Sequence, residues 1–373
     1  MQFSQATPTR FAYLNALRGL AALWVLLVHV AKMPQPIMAL PSWFDIYIAN
    51  GTMGVELFFV VSAFSLCLSM PGHVAEERPW LGFALRRFFR IAPLFYVMIL
   101  VTAFFNPAGF LYNVKTVAAN LLFVFNFFPG HGFQTSVVLA GWTIGVEMVF
   151  YLIFPMLYGV TKSLPRSIVA LLVSLAVAKI FVTLLPILVS DVKSYLNYSV
   201  FYRLPIFMCG LVAFYVTPLL KEHSRKQEIG AILLASVPVQ FFAVTSNSVS
   251  FIDAYHWYGI MFGCLVVGLG LCPIRFLVND VTEWIGKISF SVYLVHSPII
   301  VLLFPIYKEI QNSEFSRIGG YLVAVGITLI CVLPVAALSF YLFENPINIK
   351  GKQWATRLAG RSKMLGVPSP AVE

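Results

Sequence analysis

Charge is what this chain has least of: only 11% of its 373 residues are Asp, Glu, Lys or Arg, against roughly 25% in an ordinary soluble domain. With 60% of the residues hydrophobic, most of the surface cannot face water, and its solvent must be lipid. No stretch is long and polar enough for a second globular domain. No repeat with a period of roughly 20 to 50 residues marks a solenoid, and no low-complexity tract occurs before the Pro/Ser tail after Gly366. Cysteine is sparse too. Cys67, Cys209, Cys264, Cys272 and Cys331 all sit in apolar segments, form no CxxC pair and leave one over in any disulfide scheme, so they read as buried hydrophobes. The net charge of +10 does not imply nucleic acid, because the basic residues fall in short clusters between apolar runs and form no stripe. That is the pattern of charges that set membrane topology. The run from Arg10 to Ala31 is too long for a signal peptide and lacks a small-residue cleavage site, so it is expected to be retained.

What the chain does have is apolar runs near the ~20 residues a helix needs to cross a bilayer. Bounded by Pro, Gly or charge, they predict ten transmembrane helices, near 11–31, 53–70, 87–106, 139–160, 167–189, 199–218, 229–245, 256–273, 285–305 and 319–343. Residues 116–129 are too short to span at ~1.5 Å per residue and are expected to be re-entrant or interfacial. The expected fold class is all-α integral membrane, with a membrane domain over residues 1–349 and a basic C-terminal tail over 350–373. Both termini then share one side, which collects seventeen Lys and Arg against five on the other, Lys32, Lys115, Lys193, Lys308 and Arg317. By the positive-inside rule the rich side, and both termini, are cytoplasmic.

A charged side chain near the bilayer centre costs about 2.5–3.5 kcal/mol on insertion scales, so each one inside a span needs a partner, a water cavity or a function. The first span carries Arg18 and His29. Eleven residues are about three helical turns, so both project from one face, ~16 Å apart along the axis. Arg18 is expected toward the cytoplasmic half and His29 near the outer end. Glu56, in GVELFF at the start of the second span, is expected at the depth of His29, where a carboxylate orients an imidazole for general-base catalysis. Trp142 and Glu147 of GWTIGVE and Arg203 on the sixth span are expected in the same outer half. Each of these is equally readable as part of a structural ion pair, with His29 merely interfacial and Arg18 snorkelling inward.

Arg86, Arg87 and Arg90 of RRFFRIAP open the third span on the cytoplasmic side. Such a cluster is a topology anchor or, since Arg87 and Arg90 share a face, a fork for the phosphates of a donor such as a coenzyme A thioester. Ser289, Tyr293 and His296 form an i, i+4, i+7 stripe on the ninth span, expected to face the bundle interior as interhelical hydrogen bonds or as lining of an acyl path. Glu344, before Asn345-Pro346, is expected to end the last span as a cap or as a partner of the arginine cluster. His73, His131, His223 and His256 lie in loops or at span ends and carry no assigned role.

Seven segments occur in order on the ten spans: Arg18 and His29, GVELFFVVSAF around Glu56, RRFFRIAP, GWTIGVEMVFYLIFP around Glu147, YRLPIFMCG around Arg203, GKISFSVYLVH ending at His296, and FENP at Glu344. Together, over most of the chain, they resemble the acyltransferase-3 family of bacterial glycan-modifying membrane acyltransferases. The resemblance implies an acyl-CoA donor, acetyl-CoA by default, on the cytoplasmic side, and a carbohydrate or lipid-linked glycan hydroxyl as acceptor on the far side. It implies a multi-pass protein of the bacterial cytoplasmic (inner) membrane, essential roles for Arg18 and His29, and an association of Arg87 and Arg90 with the donor. It implies no bound cofactor, metal or nucleic acid. The sequence departs from the family pattern at Ala63, commonly Gly after Ser62, at Met148, where a second acidic residue is frequent after Glu147, and at Asn15-Ala16, in place of Asp-Gly. No C-terminal hydrolase-like domain of the kind some members carry is visible, so acceptor handling is expected to rest on the membrane part and its outer loops.

The expected chemistry has His29, oriented by Glu56 or Glu147, removing the acceptor's proton while Arg18 stabilises negative charge along the donor path. A two-step route through an acyl-histidine stays open. A proton-coupled secondary transporter is the main rival, but the two halves show no internal repeat and no matched pair of broken helices. A lipid-linked sugar transferase would favour acidic motifs in a large outer loop, and residues 107–138 contain no Asp or Glu.

Overall fold

Lipid offers no hydrogen bonds, so a spanning segment must satisfy its own backbone, and a helix does so within the segment. A computed structural model of the chain describes residues 11–105, 114–127, 136–189, 192–248 and 252–360. Among these residues every regular element is helical. In chain order they are α1 (Ala12–Lys32), α2 (Ser42–Ala49), α3 (Gly54–Val74), α4 (Pro79–Phe105), α5 (Val114–Leu121), α6 (Trp142–Val160), α7 (Leu164–Leu188) and α8 (Val192–Tyr198). There follow α9 (Val200–Lys221), α10 (Lys226–Thr245), α11 (Ala254–Leu271), α12 (Asp280–Lys287), α13 (Ser289–Leu302), α14 (Phe304–Asn312), α15 (Arg317–Ser339) and α16 (Asn345–Ala359). Arg10, His131, Arg361 and Lys363, and the Pro/Ser tail, lie outside the described residues.

Among the described residues nine helices, counting continuous runs, are long and apolar enough to cross a membrane, and ten if α12 and α13 together make one span. The chain is thus a multi-pass, all-α membrane protein. The segment at 116–129 does not span: it forms the short α5 and a 3-10 turn at Phe125–Phe127, with residues 128–129 outside the described residues. Helices α7 and α10 are outermost, with 17% and 11% of their apolar windows buried, and present Ile187 and Phe242 outward where lipid would cover them. The buried core is built around α1, α3, α9 and α13. All five cysteines are free thiols, with only Cys67 and Cys209 fully buried.

Two boundaries differ from the expectation. The straight span at 285–305 is broken, α12 meeting α13 at 74°. The cause lies at Gly286, where an added Cβ would overlap the carbonyl of Asn15 on α1; glycine alone permits this backbone approach, which lays α12 against α1 and turns α13 into the bundle. Nor does Glu344 end the last helix. Phe340–Glu344 forms a π turn, a feature common at functional sites, and the chain continues into α16. That helix packs on α4, with Gly351 against the ring of Phe89.

Candidate active site

Helix α1 is the axis of the site. Gly51 meets Trp24 and Val28, and Gly54 meets Ala21 and Val25, so α3 descends antiparallel to α1. Glu56, two residues further on, therefore lies more than about 6 Å below His29 at 1.5 Å per residue. The expectation that they share a depth is corrected.

At the arginine-rich end, Arg18, Arg87, Arg90, Glu147 and Tyr151 enclose a cavity of about 70 Å³ with Ser62, Ser65, Ser289 and a wall of Val55, Phe58, Phe59 and Ile144. Arg18 Nη2 donates to Ser65 Oγ at 2.8 Å, and its Nη1 reaches Asn15 Oδ1 at 3.4 Å. The Arg87 guanidinium stacks on the rings of Phe83 and Tyr151, 5.6 and 5.8 Å from their centroids. Its Nε is buried without a hydrogen-bond partner among the described residues. Glu147 accepts from Ser62 Oγ at 2.6 Å and from the Tyr151 hydroxyl. Three guanidiniums thus face one carboxylate in a low-dielectric surrounding, an excess that favours an anion.

Glu147 therefore belongs with the arginines and not beside His29, correcting the outer-half expectation. Arg86 does not join the cavity either. It donates to His73 Nδ1 at 2.8 Å and Thr356 Oγ1 at 3.1 Å and pairs with Glu76, clamping α3, α4 and α16. Glu344 lies within electrostatic reach of Arg90 and accepts from Ser291 Oγ at 2.6 Å.

Above the cavity stands Tyr293, whose hydroxyl donates to the Ala140 carbonyl at 2.9 Å and accepts from Thr143 Oγ1 at 3.0 Å. Its ring contacts Phe58 edge-on at 5.7 Å and His296 at 5.6 Å. His296 Nδ1 can only donate to the Val292 carbonyl, 3.2 Å away, so its Nε2 is an acceptor. Two donors converge on that atom: Ser297 Oγ at 3.0 Å and His29 Nδ1 at 2.8 Å. His29 must then carry its proton on Nδ1, which leaves the Nε2 lone pair available as a base or nucleophile. The partner that orients His29 is another histidine, and neither expected carboxylate reaches it.

Glu56 pairs instead with Arg203 of α9 at 2.5 Å, both side chains nearly fully buried. The Arg203 guanidinium lies over the ring of Tyr255 at 4.1 Å, with Trp142 and Tyr202 at 5.4 and 5.6 Å. Glu56, Arg203 and Trp142 thus form an interhelical ion pair in an aromatic surround, set apart from the imidazoles.

The acyltransferase-3 family model, described as an acyltransferase domain, matches residues 11–337 of the chain. The chain belongs to this family. Among curated acyltransferase relatives, O-acetyltransferase OatA of Staphylococcus aureus is 23% identical, over 92% of this chain and 58% of its own length. Peptidoglycan O-acetyltransferase OatA of Listeria monocytogenes is 25% identical over 91% and 56%. The putative peptidoglycan O-acetyltransferase YrhL of Bacillus subtilis is 25% identical over 91% and 55%. The chain spans somewhat over half the length of these relatives. No solved structure matches it significantly.

Several polar groups of this candidate site escaped sequence reasoning. Ser62 and Ser65 sit at i and i+3 on an apolar span, and Tyr151 follows Glu147 by four residues, so the helical spacing that brings them together was available. Ser291, lying between two residues of the expected stripe, carried no such signal.

Proposed function

We propose that this protein is an O-acetyltransferase of the bacterial cytoplasmic membrane. It takes an acetyl group from acetyl-CoA on the cytoplasmic side and places it on a hydroxyl of an envelope glycan outside, peptidoglycan being the acceptor that two relatives' names suggest. The observation that carries this reading is the placement of two polar clusters along one helix: a cavity with three guanidiniums toward one end of α1 and an imidazole with a free Nε2 lone pair near the other. The excess of Lys and Arg supports a cytoplasmic position for the arginine end. In this assignment residues 1–349 form the membrane domain and 350–373 a basic tail, although residues to Ala359 are helical.

Arg87, Arg90 and Arg18 hold the anionic donor. His29 Nε2 takes the proton of the acceptor hydroxyl as its oxygen attacks the thioester carbonyl carbon. The C–S bond breaks as the tetrahedral intermediate collapses, and the departing thiolate receives that proton, so the imidazole returns to its starting tautomer. His296 Nε2 holds the ring in register and stabilises the imidazolium through Nδ1–H.

The test is reconstitution of the full chain in liposomes with acetyl-CoA inside and a peptidoglycan fragment outside, reading acetyl mass on the fragment. Absence of any acetylated fragment, with the protein correctly oriented, would overturn the proposal. Arg87→Gln should raise the donor KM about tenfold or more, the scale of one lost charge-assisted hydrogen bond, with a smaller change in kcat. His296→Phe, which cannot accept from His29, should lower kcat by about 10- to 100-fold at near-constant donor KM. His296→Gln, which retains an acceptor oxygen, should recover much of that loss.

A further inference from the structure

The guanidinium cavity stops short of His29, which is not among its lining residues, and the two rings at its upper end, Tyr293 and Phe58, are held unequally. Tyr293 is fixed, its hydroxyl tied to both Thr143 and the Ala140 carbonyl. Phe58 has no polar side-chain atom to tether it and is held by apolar packing, with its ring edge-on to Tyr293. It is half-buried on a helix whose neighbouring positions Leu57 and Phe59 are fully buried, because its free face is turned into the cavity it lines. The cavity changes character along its length. Its lower part is arginine, carboxylate and serine, and its upper part is Val55, Phe58, Phe59 and Ile144, with Thr143 and Tyr293 at the closed end. At about 70 Å³ it has room for only a few waters. An acyl chain led upward toward His29 therefore meets an apolar slot that ends on the Phe58–Tyr293 pair.

Resting on the transfer reaction proposed above, we infer that Phe58 is a specificity-determining residue that restricts transfer to short acyl groups. A two-carbon chain fits beneath the Phe58 edge with its carbonyl toward Thr143 and Tyr293. Each further methylene must displace the Phe58 ring, while Tyr293, tied at its hydroxyl, does not yield. Discrimination by one methylene in an apolar pocket is worth about 10- to 200-fold, so a single aromatic side chain suffices for the filter.

The experiment uses the reconstituted full chain with acetyl-CoA, propionyl-CoA or butyryl-CoA as donor, and reads the acyl mass on the acceptor glycan. Wild type is expected to transfer acetyl strongly and butyryl poorly. Phe58→Ala, and the milder Phe58→Leu should the first fail to insert, are expected to raise the butyryl-to-acetyl ratio about tenfold or more. An unchanged or lower ratio in a variant that still transfers acetyl overturns the inference. So does loss of acetyl transfer in both variants at normal membrane levels, because a widened slot still admits the smaller group. Failure of wild type to transfer acetyl from acetyl-CoA would instead strike the reaction itself, so the two failures are distinguishable.

Discussion

Replacing His29 with Ala is expected to lower the rate of acetyl transfer by about 10²- to 10⁴-fold, the usual worth of a positioned general base. The change removes the Nε2 lone pair and leaves its surroundings intact. His296 Nε2 still accepts from Ser297, and its Nδ1 still donates to the Val292 carbonyl, so the core of α13 keeps its hydrogen bonds. The measurement is O-acetyl content of envelope glycans from cells expressing wild type or His29→Ala at matched membrane levels. Equal acetylation by the two would remove His29 from the chemistry and with it the proposed mechanism.

The second large effect concerns stability. Glu56→Ala is expected to destabilise the folded protein by about 3–5 kcal/mol, the cost of removing one member of a buried ion pair. The Arg203 guanidinium would stay enclosed by Tyr255, Trp142 and Tyr202 with its carboxylate gone. The double change Glu56→Leu with Arg203→Met removes both charges and should recover most of the loss, as apolar replacements of buried pairs commonly do. Thermal unfolding in detergent, with transfer measured per folded molecule, checks both points. A double variant that folds normally yet transfers nothing would return Glu56 to the chemistry, contrary to its position in the bundle.

The contrast between these two residues shows what the sequence carried. That the chain is a helical membrane protein was legible from apolar run length, and costly charges inside spans marked residues that the structure gathers into a cavity, an imidazole pair and a buried ion pair. Their partners were not legible, because depth along a helix says nothing about the direction in which its neighbour faces. Glu56 and His29 fall near the ends of successive spans, and a two-helix picture sets them side by side. In the structure Gly51 and Gly54 let α3 ride close along α1, which carries Glu56 below His29 and toward α9. Glu147 moved for a related reason: Tyr151 and Ser62 draw it among the arginines. The break between α12 and α13 was hidden because Gly286 reads as an ordinary small residue until Asn15 is known to lie against it. Helical spacing alone did anticipate that Ser289, Tyr293 and His296 share an interior face.

Helix α1 bears Arg18 and His29 on one run without proline, whereas α3, α4, α6 and α13 each contain an internal proline. It therefore acts as a ruler, holding the two residues ~16 Å apart along its axis. On the mechanism proposed above, a donor gripped by its phosphates at the arginine end would have to carry its acyl carbon on a tether long enough to cover that gap. Acetyl phosphate, whose acyl carbon sits one oxygen from its charge, would dock without delivering and so inhibit without reacting. Reach, as much as chemical reactivity, would then decide which activated acyl compound the bundle accepts.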